Sequence, residues 1–169
     1  VRGRNRFRWI WGTAASGAMG DRIGMREKGP DVLIGKNLVA DMNACRPGAG
    51  ELVLWWLGQH GFAVKIGKSV IYLDPFLTDM KGRLAPSLLS PRDITNADLV
   101  LGTHDHADHI DRPAWPALAS ASPQARFVVP GLLREKLSAE LGIPAERFIG
   151  MDDGMAASHS GLKISAVPA

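Results

Sequence analysis

Thr103-His104-Asp105-His106-Ala107-Asp108-His109-Ile110-Asp111 holds three of the five histidines in a chain of 169 residues. They alternate with carboxylates, so nine residues concentrate nitrogen and oxygen ligands for a divalent metal. Ahead of them, Ala97-Asp98-Leu99-Val100-Leu101-Gly102 is a short apolar run closed by Gly, the mark of a buried strand giving way to a loop. Extended backbone sends residues i and i+2 to one side, so His104 and His106 are expected to converge on one ion while Asp105 faces away. Adjacent residues such as Asp108 and His109 diverge in extended chain, but a turn there lets both reach a second ion. Two metals about 3.5–4 Å apart clamp the attacking and leaving oxygens of a hydrolysis. Surface polarity in a loop explains such a density of histidines poorly.

Working outward, three apolar runs upstream predict strands over 52–57, 62–66 and 70–73, joined by hairpin turns at Gly58-Gln59-His60-Gly61 and Gly67-Lys68-Ser69. The third run ends at Asp74-Pro75-Phe76, and residues 77–96 form a Pro- and Gly-punctuated connection. Downstream, Asp111 followed by Pro113 predicts a helix N-cap, with Trp115, Leu118 and Ala119 as the buried stripe. Phe127–Pro130 predicts a strand. Leu133, Leu137 and Leu141 at spacing four, closed by Gly142, predict a helix over 131–141. A short strand is expected over 147–149, then an antiparallel pair around Ser160-Gly161. An antiparallel meander succeeded by alternating strands and helices is an α/β layered pattern.

The pattern His-x-His-x-Asp-His, carried by His104, His106, Asp108 and His109, resembles the signature of the metallo-β-lactamase superfamily. Trp55-Trp56-Leu57-Gly58-Gln59-His60-Gly61-Phe62, Asp74-Pro75-Phe76 and the turn Ile143–Arg147 are similar to the branch that contains L-ascorbate-6-phosphate lactonase. The similarity runs from Glu51 to the end. It implies an α/β fold, the N-terminal part of a four-layered αβ/βα sandwich with a dinuclear site along one edge of the facing sheets. His104 and His106 would bind the first of two divalent ions, zinc or manganese, and Asp108 and His109 the second. A hydroxide held between the metals would attack the substrate, with Asp108 accepting or orienting its proton. Asp74 would hold a ligand histidine in one tautomer; a turn-starting Asp before Pro is its plainer reading. His60 would contact substrate near the mouth of the site, or be a solvated turn residue. Asp105 is expected to bond within the loop.

The family takes further ligands from segments after this motif, one of them just beyond a strand corresponding to the one ending at Val167. His159, in the turn Ser158–Gly161, does not match that position. The chain is therefore expected to be the N-terminal part of a longer enzyme and to be inactive alone.

Composition narrows the partners. Net charge is +3, but residues 1–28 hold seven Lys/Arg against two acidic residues, and residues 29–169 thirteen against fifteen. The basic balance thus belongs to an expected tail, disordered or not native to the protein, leading into an irregular stretch over 29–50 with a helical turn near Leu38–Met42. The body, 51–169, does not carry a nucleic-acid footprint. Cys45, the single cysteine, forms no internal disulfide and fits a reducing, cytoplasmic compartment. No apolar run approaches the ~18 residues of a membrane span. A small-molecule substrate is expected, and self-association stays open. The leading reading is a metal-dependent, lactonase-like hydrolase of a small lactone or ester, phosphorylated or not. A phosphodiesterase and a catalytically incompetent fragment are the alternatives.

Overall fold

The computed structural model describes residues 32–167 and, ahead of them, the strand β1 (Trp9–Ile10). The rest of the expected basic tail lies outside the described residues. β2 (Leu52–Gly58), β3 (Gly61–Ile66) and β4 (Ser69–Leu73) form the predicted antiparallel meander. β5 (Leu99–Leu101), β6 (Arg126–Pro130) and β7 (Phe148–Met151) extend it as parallel strands. β1 pairs parallel to β2, completing a mixed seven-stranded sheet whose spatial order is its chain order. Parallel neighbours need crossovers, and those on either side of β6 carry helices. α2 (Trp115–Ala121) joins β5 to β6, and α3 (Arg134–Leu141) joins β6 to β7.

The pleat assigns the faces. One row of paired residues, Trp55, Ala63, Tyr72, Val100, Phe127 and Phe148, crosses six strands and is at most 3% exposed at any position. Each large side chain buried this way contributes about 1.5–3 kcal/mol. Trp115, Leu118 and Leu137 from the crossover helices pack into the same cluster. The intervening residues, Ile71, Leu99, Leu101, Val128 and Met151, face the other way. There they meet Ala157, Leu162 and Ile164 of the hairpin β8 (Ala156–His159) and β9 (Leu162–Ser165). Helices, sheet and hairpin thus form successive layers. No helix among the described residues is long and apolar enough to cross a membrane.

Three local expectations change. The lead-in carries a ten-residue helix, α1 (Gly35–Ala44), where one turn was expected. Leu38, Val39 and Met42 bury one side of it in the sheet's helical face. Its polar ties explain why a lysine is buried: Lys65 Nζ donates to the Met42 carbonyl at 2.8 Å, one of the last-turn carbonyls that no helical N–H satisfies. The helix predicted over 131–141 begins as a 3-10 turn, Gly131–Leu133, before α3, and Gly142 closes it at φ +62°. Asp111 is no helix cap: α2 starts four residues later with no side-chain cap. The Asp111 carboxylate instead accepts from Leu77 N at 2.7 Å, Thr78 N at 2.8 Å and Thr78 Oγ1 at 2.6 Å. It is fully buried and ties the segment after β4 to the histidine loop.

Candidate metal centre

β4 and β5 are parallel neighbours whose last residues, Leu73 and Leu101, are paired, so both chains leave the sheet side by side at the carboxyl end. Such an end is where α/β sheets bind ligands. Asp74 leaves β4 with φ +41°, a left-handed conformation that Asp tolerates better than most residues; the proline behind it disfavours the right-handed helical region. Its N–H donates to the Leu101 carbonyl at 2.8 Å. Gly102 leaves β5 where the loop folds back closely: a Cβ there would lie 2.6 Å from Ile110 and 3.1 Å from Trp115.

The Asp74 carboxylate, 7% exposed as a residue, organises the start of the histidine loop. Oδ1 accepts from Thr103 N at 2.8 Å, and Oδ2 accepts from Thr103 Oγ1 and from His109 Nδ1, each at 2.8 Å. A ring nitrogen facing a carboxylate carries the proton, which leaves the lone pair of His109 on Nε2. Thr103 Oγ1 spends its hydrogen on Asp74, so towards His104 Nδ1, 3.1 Å away, it is the acceptor. That leaves the His104 lone pair on Nε2 as well. One carboxylate therefore sets two tautomers, one directly and one through a hydroxyl.

His104 Nε2 lies 2.8 Å from His106 Nδ1. The two do converge, but across a tight turn in which His106 N donates to the His104 carbonyl, not along extended chain. Asp105 faces away as expected. It pairs with Arg112 and, at 3.6 Å, with Lys136 of α3; the hydrogen bond from Arg112 holds its carboxyl below the ordinary value. After His106 the chain coils, with His109 N and Ile110 N both donating to the His106 carbonyl. This is the turn that Asp108 and His109 need to share a side.

His109 stands between two other rings, 3.8 Å from His104 and stacked on His60 at 3.9 Å and 5°. Ligand atoms of His60, Asp108 and His109 all lie within 4.8 Å of one another. His159 is elsewhere. Its hairpin turn meets the start of β4, where Ser69 Oγ donates to the Ser160 carbonyl at 3.3 Å. β4 is five residues long, which places that contact on the order of 16 Å from the end where Asp74 sits.

These residues fit a divalent ion. The 2.8 Å between His104 Nε2 and His106 Nδ1 is about 0.5 Å less than the ~3.3 Å between two ligands of a tetrahedral zinc, a gap that a small ring rotation closes. Imidazole and carboxylate donors, with the tautomers set from behind, are the chemistry such ions take. Thr103 and Asp111 escaped the sequence reading. The signal for Thr103 was its place between the strand-ending Gly102 and the first histidine; for Asp111, the proximity of Pro113 pointed to a cap instead.

Fold and site together define a layered α/β protein with a histidine–carboxylate cluster at the carboxyl end of its parallel strands. Residues 70–169 match the beta-lactamase superfamily domain, and the chain belongs to that family. It is 32% identical over 116 residues to a UPF0173 metal-dependent hydrolase of Sulfolobus acidocaldarius, covering 69% of this chain and 49% of that protein. A second UPF0173 metal-dependent hydrolase, from Cupriavidus taiwanensis, is 34% identical over 127 residues, covering 73% and 43%. The chain thus spans about half the length of the curated relatives it matches. Among solved structures, a metallo hydrolase of the archaeon Ignicoccus hospitalis superposes with a TM-score of 0.51 at 26% identity, over 69% of this chain and 48% of that one. The diiron β-hydroxylase CmlA of Streptomyces venezuelae, at 20% identity and a TM-score of 0.53 over 68% and 23%, shares the fold.

Proposed function

We propose that this chain supplies half of a dinuclear hydrolytic site, with His104 and His106 on one divalent ion and Asp108 and His109 on the other, zinc or manganese. The observation that carries it is the convergence of His104 Nε2 and His106 Nδ1 at 2.8 Å, with the His104 ring aligned through Thr103 and Asp74. When bound, the ions supply the Lewis acidity that makes water nucleophilic at neutral pH. The chain's own residues do the positioning. Asp74 holds the His109 ring by Nδ1, and Thr103 orients His104. The Asp108 side chain is 44% exposed and takes the proton of the attacking water. The relatives named as metal-dependent hydrolases support the reaction class, which a fold alone does not establish.

The substrate we propose is a small lactone or ester, phosphorylated or not, on the strength of the Trp55–Phe62 and Asp74–Phe76 resemblance. The test is a metal-loaded full-length protein assayed on a lactone panel and on bis-p-nitrophenyl phosphate. Lactone turnover abolished by chelation is expected. Turnover of the phosphodiester alone would move the protein to the phosphodiesterase branch.

A further inference from the structure

We propose that His60 is a positioning residue: its ring face and its Nε2–H fix His109 and Asp108, the pair assigned to the second ion, from outside the histidine loop. The inference rests on the proposed dinuclear site and adds to it a residue that binds no metal. A histidine aims its lone pair in the plane of its ring. The His60 and His109 rings are stacked face to face at 3.9 Å and 5°, so their lone pairs lie in parallel planes and do not meet at one ion. The closeness of their nitrogens is that of a stack.

The stack complements Asp74. Asp74 Oδ2 holds the His109 ring at one atom, Nδ1, at 2.8 Å, and a ring held at one atom can still turn about that bond. His60 covers the ring's face and blocks the turn, which keeps Nε2 of His109 on its aim. The second contact acts on Asp108. His60 Nε2 lies 3.0 Å from the Asp108 backbone carbonyl; a carbonyl only accepts, so Nε2 carries the proton and donates. That bond fixes the backbone from which the Asp108 carboxylate projects. Nε2 stays 3.7 Å from Oδ2, beyond hydrogen-bond reach, and so leaves the carboxylate to the ion and the attacking water.

The β2–β3 turn is built to deliver the ring there. Strand register shifts between Trp56 and Gly58, an irregularity of the kind that re-aims side chains beside active sites. At Gly61 a Cβ would lie 3.0 Å from the Asp74 carbonyl oxygen, so the turn rests on the strand end that organises the histidine loop. Trp56 Nε1 donates to the Gln59 carbonyl at 2.7 Å. Gln59 itself is held at φ +50°, a conformation that side-chain-bearing residues rarely adopt. A solvated turn histidine needs none of these restraints.

Stepwise zinc titration of the full-length protein, beside kcat and KM on the best lactone of the panel, tests the role. His60→Ala loses both contacts and should weaken one zinc site roughly tenfold or more, as loss of a group behind a ligand histidine does, leaving the other site unchanged. His60→Phe keeps the stack without the N–H, and His60→Gln keeps a donor without the ring. Each should lose about threefold, an even division of that effect. In His60→Ala kcat should fall with KM held within about twofold, the mark of a group that acts on the reacting arrangement. A merely structural turn residue would lower the urea midpoint and leave both zinc affinities at wild type, which overturns the proposal. Phe and Gln variants as poor as Ala would point to ligation and overturn it too. The zinc titration needs no turnover, so an unreactive panel leaves the test intact. His104→Ala separates the two levels of failure. If it loses zinc while His60→Ala does not, only the His60 role falls. If it binds zinc as wild type does, or wild type binds none, the metal centre falls and His60 positioning with it.

Discussion

At the scale of single residues, the site depends on which nitrogen of each ring carries the proton. Asp74 and Thr103 decide that for His109 and His104. Asp74→Asn tolerates the same left-handed backbone but cannot accept at both oxygens. It is expected to lower zinc affinity roughly 10–100-fold, as loss of a group behind a ligand histidine usually does. Thr103→Val should shift affinity in the same direction through His104 alone. Calorimetric titration of both variants measures this, and unchanged affinity in both would remove Asp74 from its role. Asp108→Ala in the full-length protein should cut turnover roughly 10²–10⁴-fold, the scale of a lost proton acceptor, while far-UV circular dichroism stays unchanged. His159→Ala should leave metal content alone, because its turn sits at the opposite end of β4; metal loss matching His104→Ala would show the ligand set to be wrong.

Among elements, the histidine loop is held from two sides. Arg112 and Lys136 tether Asp105, and Arg112 also meets Glu140 of α3 at 3.1 Å. Asp111, buried, grips the backbone of Leu77 and Thr78 across 34 and 33 residues of chain. Asp111→Ala would strand two N–H groups, at about 1–3 kcal/mol each. We expect a destabilisation of about 3 kcal/mol or more in urea unfolding, together with weaker metal binding as the loop loosens. A loss under about 1 kcal/mol would mean that water replaces the carboxylate with little cost. α1 makes the same point for packing: Met42, fully buried, should cost about 2–5 kcal/mol on truncation to Ala.

For the whole molecule, the helical face of the sheet is a single core, and Tyr72, the chain's one tyrosine, sits in the middle of its row. Its hydroxyl donates to Asn96 Oδ1 at 2.8 Å, and burial pushes its pKa above the usual 10.0. Folded and unfolded chains are both neutral at this group below pH 10, so it has no effect on stability there. Above pH 10 the unfolded chain releases the proton and the folded one keeps it, so stability falls by roughly 1.4 kcal/mol per pH unit. Absorbance at 295 nm should therefore rise late and together with the loss of circular dichroism. A simple titration centred on 10 in folded protein would contradict the buried row.

The elements themselves were legible in sequence, because periodicity and turn residues act over a few positions. The apolar runs at 52–57, 62–66 and 70–73, the leucines at spacing four and the Ser160-Gly161 turn all formed close to where their local chemistry placed them. The histidine–carboxylate density pointed to metal without any knowledge of the third dimension. Only the tertiary structure decided how the site is held. Asp74 reaches His109 across 35 residues and His60 reaches Asp108 across 48. Both contacts depend on β4 and β5 ending side by side and on the β2–β3 turn resting on Asp74. Nothing local encodes those adjacencies: they arise from strand order in the sheet, which is set by burying its two apolar faces. The same global requirement lengthened α1 beyond its weak local pattern and turned Asp111 from an expected helix cap into a buried clamp.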